Sequence, residues 1–174
     1  MEDGDVSEQT FASQDGPEWN RYSAYGFRGP QVCSIVGITY RQLDYWARTK
    51  VIEPSLVGAA GSGSQRLYSW RDLIAFQAAH MLLQSGLKLA HVRNVIRTIH
   101  ETEHDYNSGF LFCDHNGSAQ VATADSIVQY LETASGANFF VAMRGLAAAI
   151  STAIEKQKTQ PVVVKTAARL SPVV

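Results

Sequence analysis

The sequence predicts a mainly α-helical protein with small β parts, in which an N-terminal helical unit is followed by a small C-terminal ββαβα unit. Three observations support this prediction. Apolar residues recur at helical spacing in two long segments, which begin after Ser69 and at Leu89. A capping-box spacing at Thr39 marks the start of a shorter helix. Asn116-Gly117, flanked by apolar runs, is the strongest short signal for a β-hairpin.

The charge of the 174-residue chain is −1 overall, but it is unevenly distributed. Residues 1–24 hold six acids and one base, residues 25–100 hold nine bases and three acids, and the remainder holds five bases and seven acids. This asymmetry is typical of a nucleic-acid-binding module with neutral or acidic attachments. The segment 25–100 is therefore the candidate for contact with double-stranded DNA.

Residues 1–24 are acidic, rich in Ser, Gln and Gly, and without an apolar period. Such a segment does not bury enough apolar surface to offset the entropy of ordering, so we expect a disordered arm. An acidic arm can compete with DNA for a basic face, but a passive solvating tail is the favoured interpretation.

The first ordered elements are expected to be a strand over 25–28 and a helix that runs from Pro30 to about Val36. Proline suits the first turn of a helix because its missing N–H is not needed there. Gly37 supplies the permissive backbone that a tight turn needs, and Ile38 is expected in the core. Together with the next helix, these residues predict a helix-turn-helix.

The second helix of this motif is expected to begin at Tyr40, after the Thr39 cap that Gln42 completes. A period of 3.6 residues gives a seating face of Tyr40, Leu43 and Ala47, and a free face of Arg41, Tyr45 and Arg48. Two guanidiniums and a phenol on one face suit the major groove of DNA. These residues alone fit a solvated helix face equally well.

Two short candidate strands follow, over 51–57 and 65–68, and the Gly/Ser segment 58–64 links them. Small uncharged residues let backbone N–H groups approach a phosphate closely, and Arg66 stands at the base of the loop. This predicts a wing, and a slack surface hairpin is the alternative. Ser69 and Asp72 then repeat the capping-box spacing at the start of a strongly apolar helix.

These motifs resemble the winged helix-turn-helix domain of MerR-family transcription regulators across Tyr25 to Ile99. The resemblance rests on Phe27-Arg28, on the run from Val36 to Trp46, and on Gln65-Arg66-Leu67-Tyr68 ahead of Asp72-Leu73. The segment 37–49 is more similar to the actinobacterial cell-division regulators of this family than to its metal or drug sensors. The resemblance implies a homodimer that binds a palindromic promoter site and distorts the DNA so that RNA polymerase engages it.

The predicted DNA contacts divide into base readout and phosphate positioning. Arg41 and Gln42, in the first turn of the second helix, are the candidates for base readout. The candidates for phosphate contact are Arg28, Tyr45, Arg48, Ser64 and Arg66, and Thr39, Tyr40 and Gln65 complete the predicted DNA-binding set. Architectural DNA bending of the phage type, and a ligand- or partner-binding module with incidental DNA contacts, remain as alternative functions.

The C-terminal half departs from a typical MerR protein, which continues into a long coiled-coil helix. Turn residues at 104–109 precede two strands around Asn116-Gly117, a helix over 124–134, a strand over 138–143 and a last helix ending near Lys158. We therefore predict a DNA-binding domain over 25–103, an αβ dimerisation or effector domain over 104–158, and a tail over 159–174. Unpaired sheet edge and an Ala-rich last helix suggest that the second domain dimerises.

Other chemistry is weakly supported by the sequence. A metal site of His100, His104, Cys113 and His115 is imaginable, but surface histidines are the simpler explanation, so no metal or cofactor is predicted. No phosphate-binding loop, nucleophile elbow or zincin motif occurs, so an enzyme is not expected. Phe110, Phe112, Phe139 and Phe140 are expected to be core residues and not walls of a ligand pocket.

Two cysteines, no opening apolar segment and no apolar run of about 20 residues predict a protein of the reducing cytoplasm without a membrane partner. The DNA binding that the family resemblance implies adds an association with the nucleoid.

Overall fold

The computed structural model describes residue 22 and residues 24–58, 65–102, 109–158 and 160–163. The strands over these residues are β1 (Tyr25–Arg28), β2 (Leu67–Tyr68), β3 (Phe110–Asp114), β4 (Ala119–Ala122), β5 (Asn138–Ala142) and β6 (Val162–Val163). The α-helices are α1 (Gly29–Val36), α2 (Tyr40–Arg48), α3 (Trp70–Gln84), α4 (Leu89–Glu101), α5 (Ile127–Thr133) and α6 (Met143–Lys156), and a 3-10 turn over Ala124–Ser126 precedes α5. The predicted acidic arm lies almost wholly outside the described residues.

Two small antiparallel sheets are formed, in the strand orders β2-β1-β6 and β4-β3-β5. In the first sheet Phe27 pairs with Tyr68, and Gly26 pairs with Val162. The second pairing places a short strand, Val162–Val163, within the segment 159–174 that was predicted as a tail, and this strand lies at the edge of β1. Two β-branched residues in isolation carry too little sequence signal to show which distant edge they join.

The predicted strand over 51–57 is wrong except at its end, where Val57 forms an isolated bridge with Leu67. Val51 and Ile52 are consecutive and both buried, which a half-buried strand with alternating faces does not allow. Their N–H groups instead donate to the carbonyl of Trp46, at 2.8 and 3.3 Å, and close the end of α2. Lys50, with φ 54°, supplies the left-handed residue of this cap.

The hydrophobic core is continuous through the chain and is centred on α3. Leu73, Ile74, Ala75 and Phe76 are four consecutive buried residues, so this helix is surrounded on all sides. α4 and α6 both pack against α3, and α6 also packs against α1. The predicted boundary between residues 103 and 104 lies outside the described residues, and the helix α6 packs across it onto the N-terminal elements.

The Ala-rich last helix was expected to be free to pack on a copy of itself. In the structure Leu146, Ala147 and Ile150 face the core. Beyond the end of the helix, the side-chain oxygen of Gln157 accepts from the Ser34 hydroxyl at 2.6 Å, and its amide nitrogen donates to the Ser34 carbonyl at 2.8 Å. Most of the apolar surface of α6 is therefore already used within the chain, and only its small, polar face remains exposed. The sequence pattern of a moderately amphipathic helix is the same whether the helix packs within its own chain or on a second copy of the chain.

The β3–β4 hairpin turn sits against the first turn of α4. Gly117 has φ 85°, and a Cβ there would lie 2.5 Å from the Cβ and 2.7 Å from the Cα of His91. Because both the backbone conformation and the space require glycine, we expect Gly117→Ala to lower the free energy of unfolding by about 2 to 4 kcal/mol. Urea unfolding followed by circular dichroism measures this effect.

Gly136→Ala is the matched control for this substitution. Gly136 also has positive φ, 77°, but its nearest neighbour would be 3.4 Å away, at the ring of His115. Equal losses in the two variants would show that backbone strain alone, without the contact with α4, makes glycine necessary at Gly117.

Candidate nucleic-acid interface

The turn between α1 and α2 is built around Gly37, as predicted. Gly37 has φ 79°, and its N–H and that of Ile38 both donate to the carbonyl of Cys33, at 2.9 and 3.1 Å. Ile38 is buried. Burial raises the pKa of the half-buried Cys33 thiol, which agrees with a packing role for this residue and not a reactive one.

The start of α2 is fixed by the predicted capping box. The N–H of Gln42 donates to Oγ1 of Thr39 at 3.2 Å, and Oε1 of Gln42 accepts from the N–H and the hydroxyl of Thr39, both at 2.9 Å. The reciprocal bonds set the helix at Tyr40. They also occupy the amide oxygen of Gln42, which a bidentate contact to adenine would require.

The seating face of α2 consists of Leu43 and Trp46, both buried, with Ala47 half-buried. The Trp46 ring stacks on Phe76 of α3 with ring centroids 5.8 Å apart. Tyr40 was assigned to this face and is instead 61% exposed. Trp46, which the predicted face did not include, is the second large residue that seats the helix beside Leu43.

The exposed face of α2 carries most of the predicted contacts. Tyr40, Arg41, Gln42, Tyr45 and Arg48 are all exposed. Within the part of the chain that the structure describes, Arg41 has no hydrogen bond or ion pair. Its guanidinium is thus available to an acceptor outside the chain, in the first turn of the helix.

Asp44 joins α2 to the base of the predicted wing. Its Oδ2 lies 2.9 Å from Nε of Arg48, and its Oδ1 accepts from Nη1 of Arg66 at 2.9 Å. The bond to Asp44 raises the pKa of the Arg66 guanidinium, whose side chain is only 20% exposed. Asp44 was missed as a site residue, although its spacing of four from Arg48 is a recognisable ion-pair signal.

The remaining predicted contacts lie around Arg66. Arg28 is exposed at the end of β1 and pairs in register with Leu67, so the structure brings it next to Arg66 along the sheet. Gln65 is exposed. Ser64 and the tip of the wing lie outside the described residues. Arg48 and Arg66 thus lie together around Asp44, which partly neutralises them. The backbone of Arg28 is one pair further along the sheet.

A buried carboxylate, Asp72, holds the loop that follows α2. Its Oδ2 accepts from the N–H and the hydroxyl of Ser55, at 3.0 and 2.7 Å, and from the N–H of Ser69 at 2.9 Å. Its Oδ1 lies 3.4 Å from Nε2 of His100 on α4. The sequence showed Asp72 only as a helix cap; the structure shows that it also connects three elements behind the recognition helix.

Among the described residues there is no group of three His, Cys, Asp or Glu side chains that could hold a metal ion. His104, one of the four imagined ligands, lies outside them. Burial raises the pKa of the Cys113 thiol to about 11, so this residue is a neutral part of the core at physiological pH.

None of the helices that the structure describes is long and apolar enough to cross a bilayer.

Comparison with known proteins supports the assignment of the N-terminal domain. A family model described as MerR HTH family regulatory protein matches residues 27–99. Uncharacterized HTH-type transcriptional regulators of Mycobacterium bovis and Mycobacterium tuberculosis are 40% identical over 121 residues, which are 69% of this chain and 53% of each relative. The chain thus spans about half the length of these relatives. They are named as regulators and not as enzymes, which agrees with the prediction that this chain is not an enzyme.

The crystal structure of a MerR-family transcriptional regulator from Bacillus cereus is similar over 77% of this chain and 75% of its own, with a TM-score of 0.38 and 16% identity. That likeness is too weak to add to the argument. The matched segment 27–99 contains the turn, the recognition helix, the base of the wing and the two helices that support them. Residues 27–99 of this chain are therefore similar to the helix-turn-helix domain of MerR-family regulatory proteins.

Proposed function

We propose that this protein is a sequence-specific DNA-binding transcription regulator. It binds a palindromic promoter site as a homodimer and distorts the DNA so that RNA polymerase engages the promoter. The observation that carries this proposal is the exposed face of α2, on which Arg41 has no partner among the described residues, whereas Gln42 and Arg48 are held by Thr39 and Asp44.

The proposed role of each side chain in DNA binding follows from the contacts that it makes within the chain. Arg41 reads bases, because a free guanidinium in the first turn of a recognition helix can pair bidentately with guanine O6 and N7. Gln42 is mainly a cap, with only its amide nitrogen left to donate to DNA. Arg48 and Arg66 contact phosphates while they remain paired with Asp44.

Arg28, Thr39, Tyr40, Tyr45, Ser64 and Gln65 complete the proposed DNA-binding set.

Replacing Arg41 by alanine tests the readout. We expect a loss of about 1 to 3 kcal/mol of binding free energy at the preferred site, with weak non-specific binding largely retained. The preferred duplex is first selected from random sequences with the unmodified protein. Affinities for this duplex and for a scrambled one are then measured at several salt concentrations.

The matched control for this experiment is Arg48→Ala, which removes a guanidinium from the same helix. Arg48 is paired with Asp44 and is proposed to touch phosphate only, so its loss should weaken binding to the two duplexes by a similar factor. If Arg41→Ala also weakens both by the same factor, α2 positions the protein, and sequence readout belongs to the wing or to DNA shape.

The amino-acid sequence of α2 further resembles that of the actinobacterial cell-division regulator FtsR, and we infer that the target promoters include those of cell-division genes. The protein would then act in the cytoplasm, associated with the nucleoid. A genome-wide footprint tests both statements. Binding spread evenly along the chromosome would favour an architectural DNA-bending protein in place of a regulator.

A further inference from the structure

One face of the C-terminal unit exposes large apolar side chains that nothing in the described chain covers. Val128 and Leu131 on α5 are each 60% exposed, and Phe140 on β5 is 49% exposed. None of the residues of α5 is buried. We call Val128, Leu131 and Phe140 the α5–β5 face. Val128 and Leu131 lie about one helical turn apart on α5. Phe140 lies on the side of the sheet that α5 covers, because its ring and that of Tyr130 both contact Phe112. Exposed apolar residues grouped in this way mark an interaction surface.

The rings beneath this face give it a defined shape. Phe112 is buried under α5, with its ring centroid 4.1 Å from that of Tyr130. Phe140 packs against Phe112 and Phe110 at centroid distances of 5.0 and 5.2 Å. The Phe140 ring is thus held in place along one side, and its other side is presented at the edge of the sheet.

The outer edge of β5 is unprotected. Among the described strands β5 pairs only with β3, so its second row of backbone groups has no strand beside it. Its sequence, Asn-Phe-Phe-Val-Ala, contains no charge and no proline. Natural sheets protect a free edge with such residues because a bare apolar edge templates aggregation. The absence of these devices in β5 indicates that the edge is covered in the working assembly.

We propose that a second copy of this chain covers the face, through antiparallel pairing of β5 with its own counterpart about a two-fold axis at Phe140. The two three-stranded sheets then become one six-stranded sheet, and the α5 helices meet beside the axis. The proposal rests on the homodimer of the proposed function and names the surface that forms it. When two copies are related by a two-fold axis, the same surface of each copy contacts the other, so both bare edges are covered in one interface.

The register of this pairing keeps like faces together. Asn138 lies opposite Ala142 of the partner subunit, and Phe139 lies opposite Val141 of the partner subunit, so the half-buried and buried positions of β5 stay on the core side. No charged residue occurs in the paired segment, so no like charges meet across the axis.

The charges around the face argue against nucleic acid as the occupant. α5 and its preceding turn carry Asp125 and Glu132 and no base, so this side of the molecule does not attract phosphates. The other predicted dimer surface is that of α6, and most of its apolar side already packs on α1 and α3.

Substitution on the exposed face of α5 tests the surface in the full-length chain. In a Val128→Glu, Leu131→Glu double variant, we expect the dimer dissociation constant, measured by sedimentation equilibrium, to rise by at least about 100-fold, because like charges would meet at the axis. Ala149→Glu, on the exposed side of α6, is the matched control and should leave the constant within about threefold. Thermal unfolding confirms that each variant folds.

Cross-linking tests the register. A Phe140→Cys variant treated with a short bismaleimide should yield a covalent dimer, whereas Gln120→Cys, exposed on the opposite edge strand, should not. The unmodified protein is the background control, since Cys113 is buried and Cys33 is half-buried. A dimer that survives the double substitution, or Phe140→Cys protomers that fail to cross-link, would overturn the proposal.

DNA titrations separate this inference from the proposed function. A monomeric double variant that still binds a single half-site weakly, with marked salt dependence, is the result expected when both hold. A wild-type dimer that cross-links through Phe140→Cys but binds no DNA would refute the proposed function and leave the interface standing.

Discussion

Replacing Asp72 by alanine is expected to lower the free energy of unfolding by about 3 to 5 kcal/mol, because it removes a buried carboxylate that accepts three hydrogen bonds, and a hydrogen bond to a charged group contributes about 1.5 to 3 kcal/mol. The donors are the N–H and hydroxyl of Ser55 and the N–H of Ser69. A loss of this size is a large part of the total stability of a typical domain, about 5 to 15 kcal/mol. Urea unfolding at constant pH measures it.

Ser69→Ala is the control that removes the helix cap, together with one hydrogen bond from the Ser55 hydroxyl to Ser69 Oγ (2.8 Å), and keeps the carboxylate of Asp72. Oγ of Ser69 accepts from the N–H of Asp72 at 3.2 Å, and loss of such a cap costs about 1 kcal/mol. If Asp72→Ala costs no more than Ser69→Ala, then Asp72 serves only as a cap, and the contact with Ser55 adds nothing to the stability of the loop behind α2.

The affinity for DNA is expected to fall steeply with salt. If each protomer neutralises about four phosphates, a dimer makes about eight contacts, and log K should fall against log salt with a slope near −7. Raising the salt from about 50 to about 200 mM would then weaken binding about 10⁴-fold. Three of these contacts in each protomer are assigned to the guanidiniums of Arg28, Arg48 and Arg66. Fluorescence anisotropy on a labelled duplex measures the slope.

Arg66→Ala should reduce this slope by about one unit per protomer without a change in sequence preference, since a phosphate contact carries no base information. Asp44→Asn is the opposing control: it removes the acid that both Arg48 and Arg66 contact and should strengthen binding to any duplex. A slope for the unmodified protein shallower than about −2 would contradict DNA binding through this surface.

Local signals in the sequence were sufficient for the N-terminal elements. The capping boxes at Thr39 and Ser69 and the turn at Gly37 depend on residues no more than a few positions apart, and the structure contains all three. The hairpin at Asn116-Gly117 is local in the same sense, and Gly117 has the expected positive φ. The order of elements from β3 to α6 is likewise the predicted one.

Such local signals do not predict contacts between residues that are far apart in the sequence. Val51 and Ile52 were assigned to a strand because two apolar β-branched residues favour one, whereas tertiary packing made them the buried end of α2. Tyr40 was assigned to the seating face of α2 because periodicity groups residues by their spacing alone and does not show that Trp46, which stacks on Phe76, takes that position. The strand at Val162–Val163 has a partner more than 130 residues earlier in the sequence.

The sequence by itself determined where α2 begins, which of its residues are charged, and which family the segment around it resembles. Only the tertiary structure decided which of these charges are free. Arg41 has no partner among the described residues, whereas Arg48 and Arg66 share Asp44, and Asp72 binds Ser55. The physical reason is that capping and periodicity depend on bonds within one or two turns of chain, whereas the ion pair of Asp44 with Arg66 forms only after folding brings α2 beside the wing.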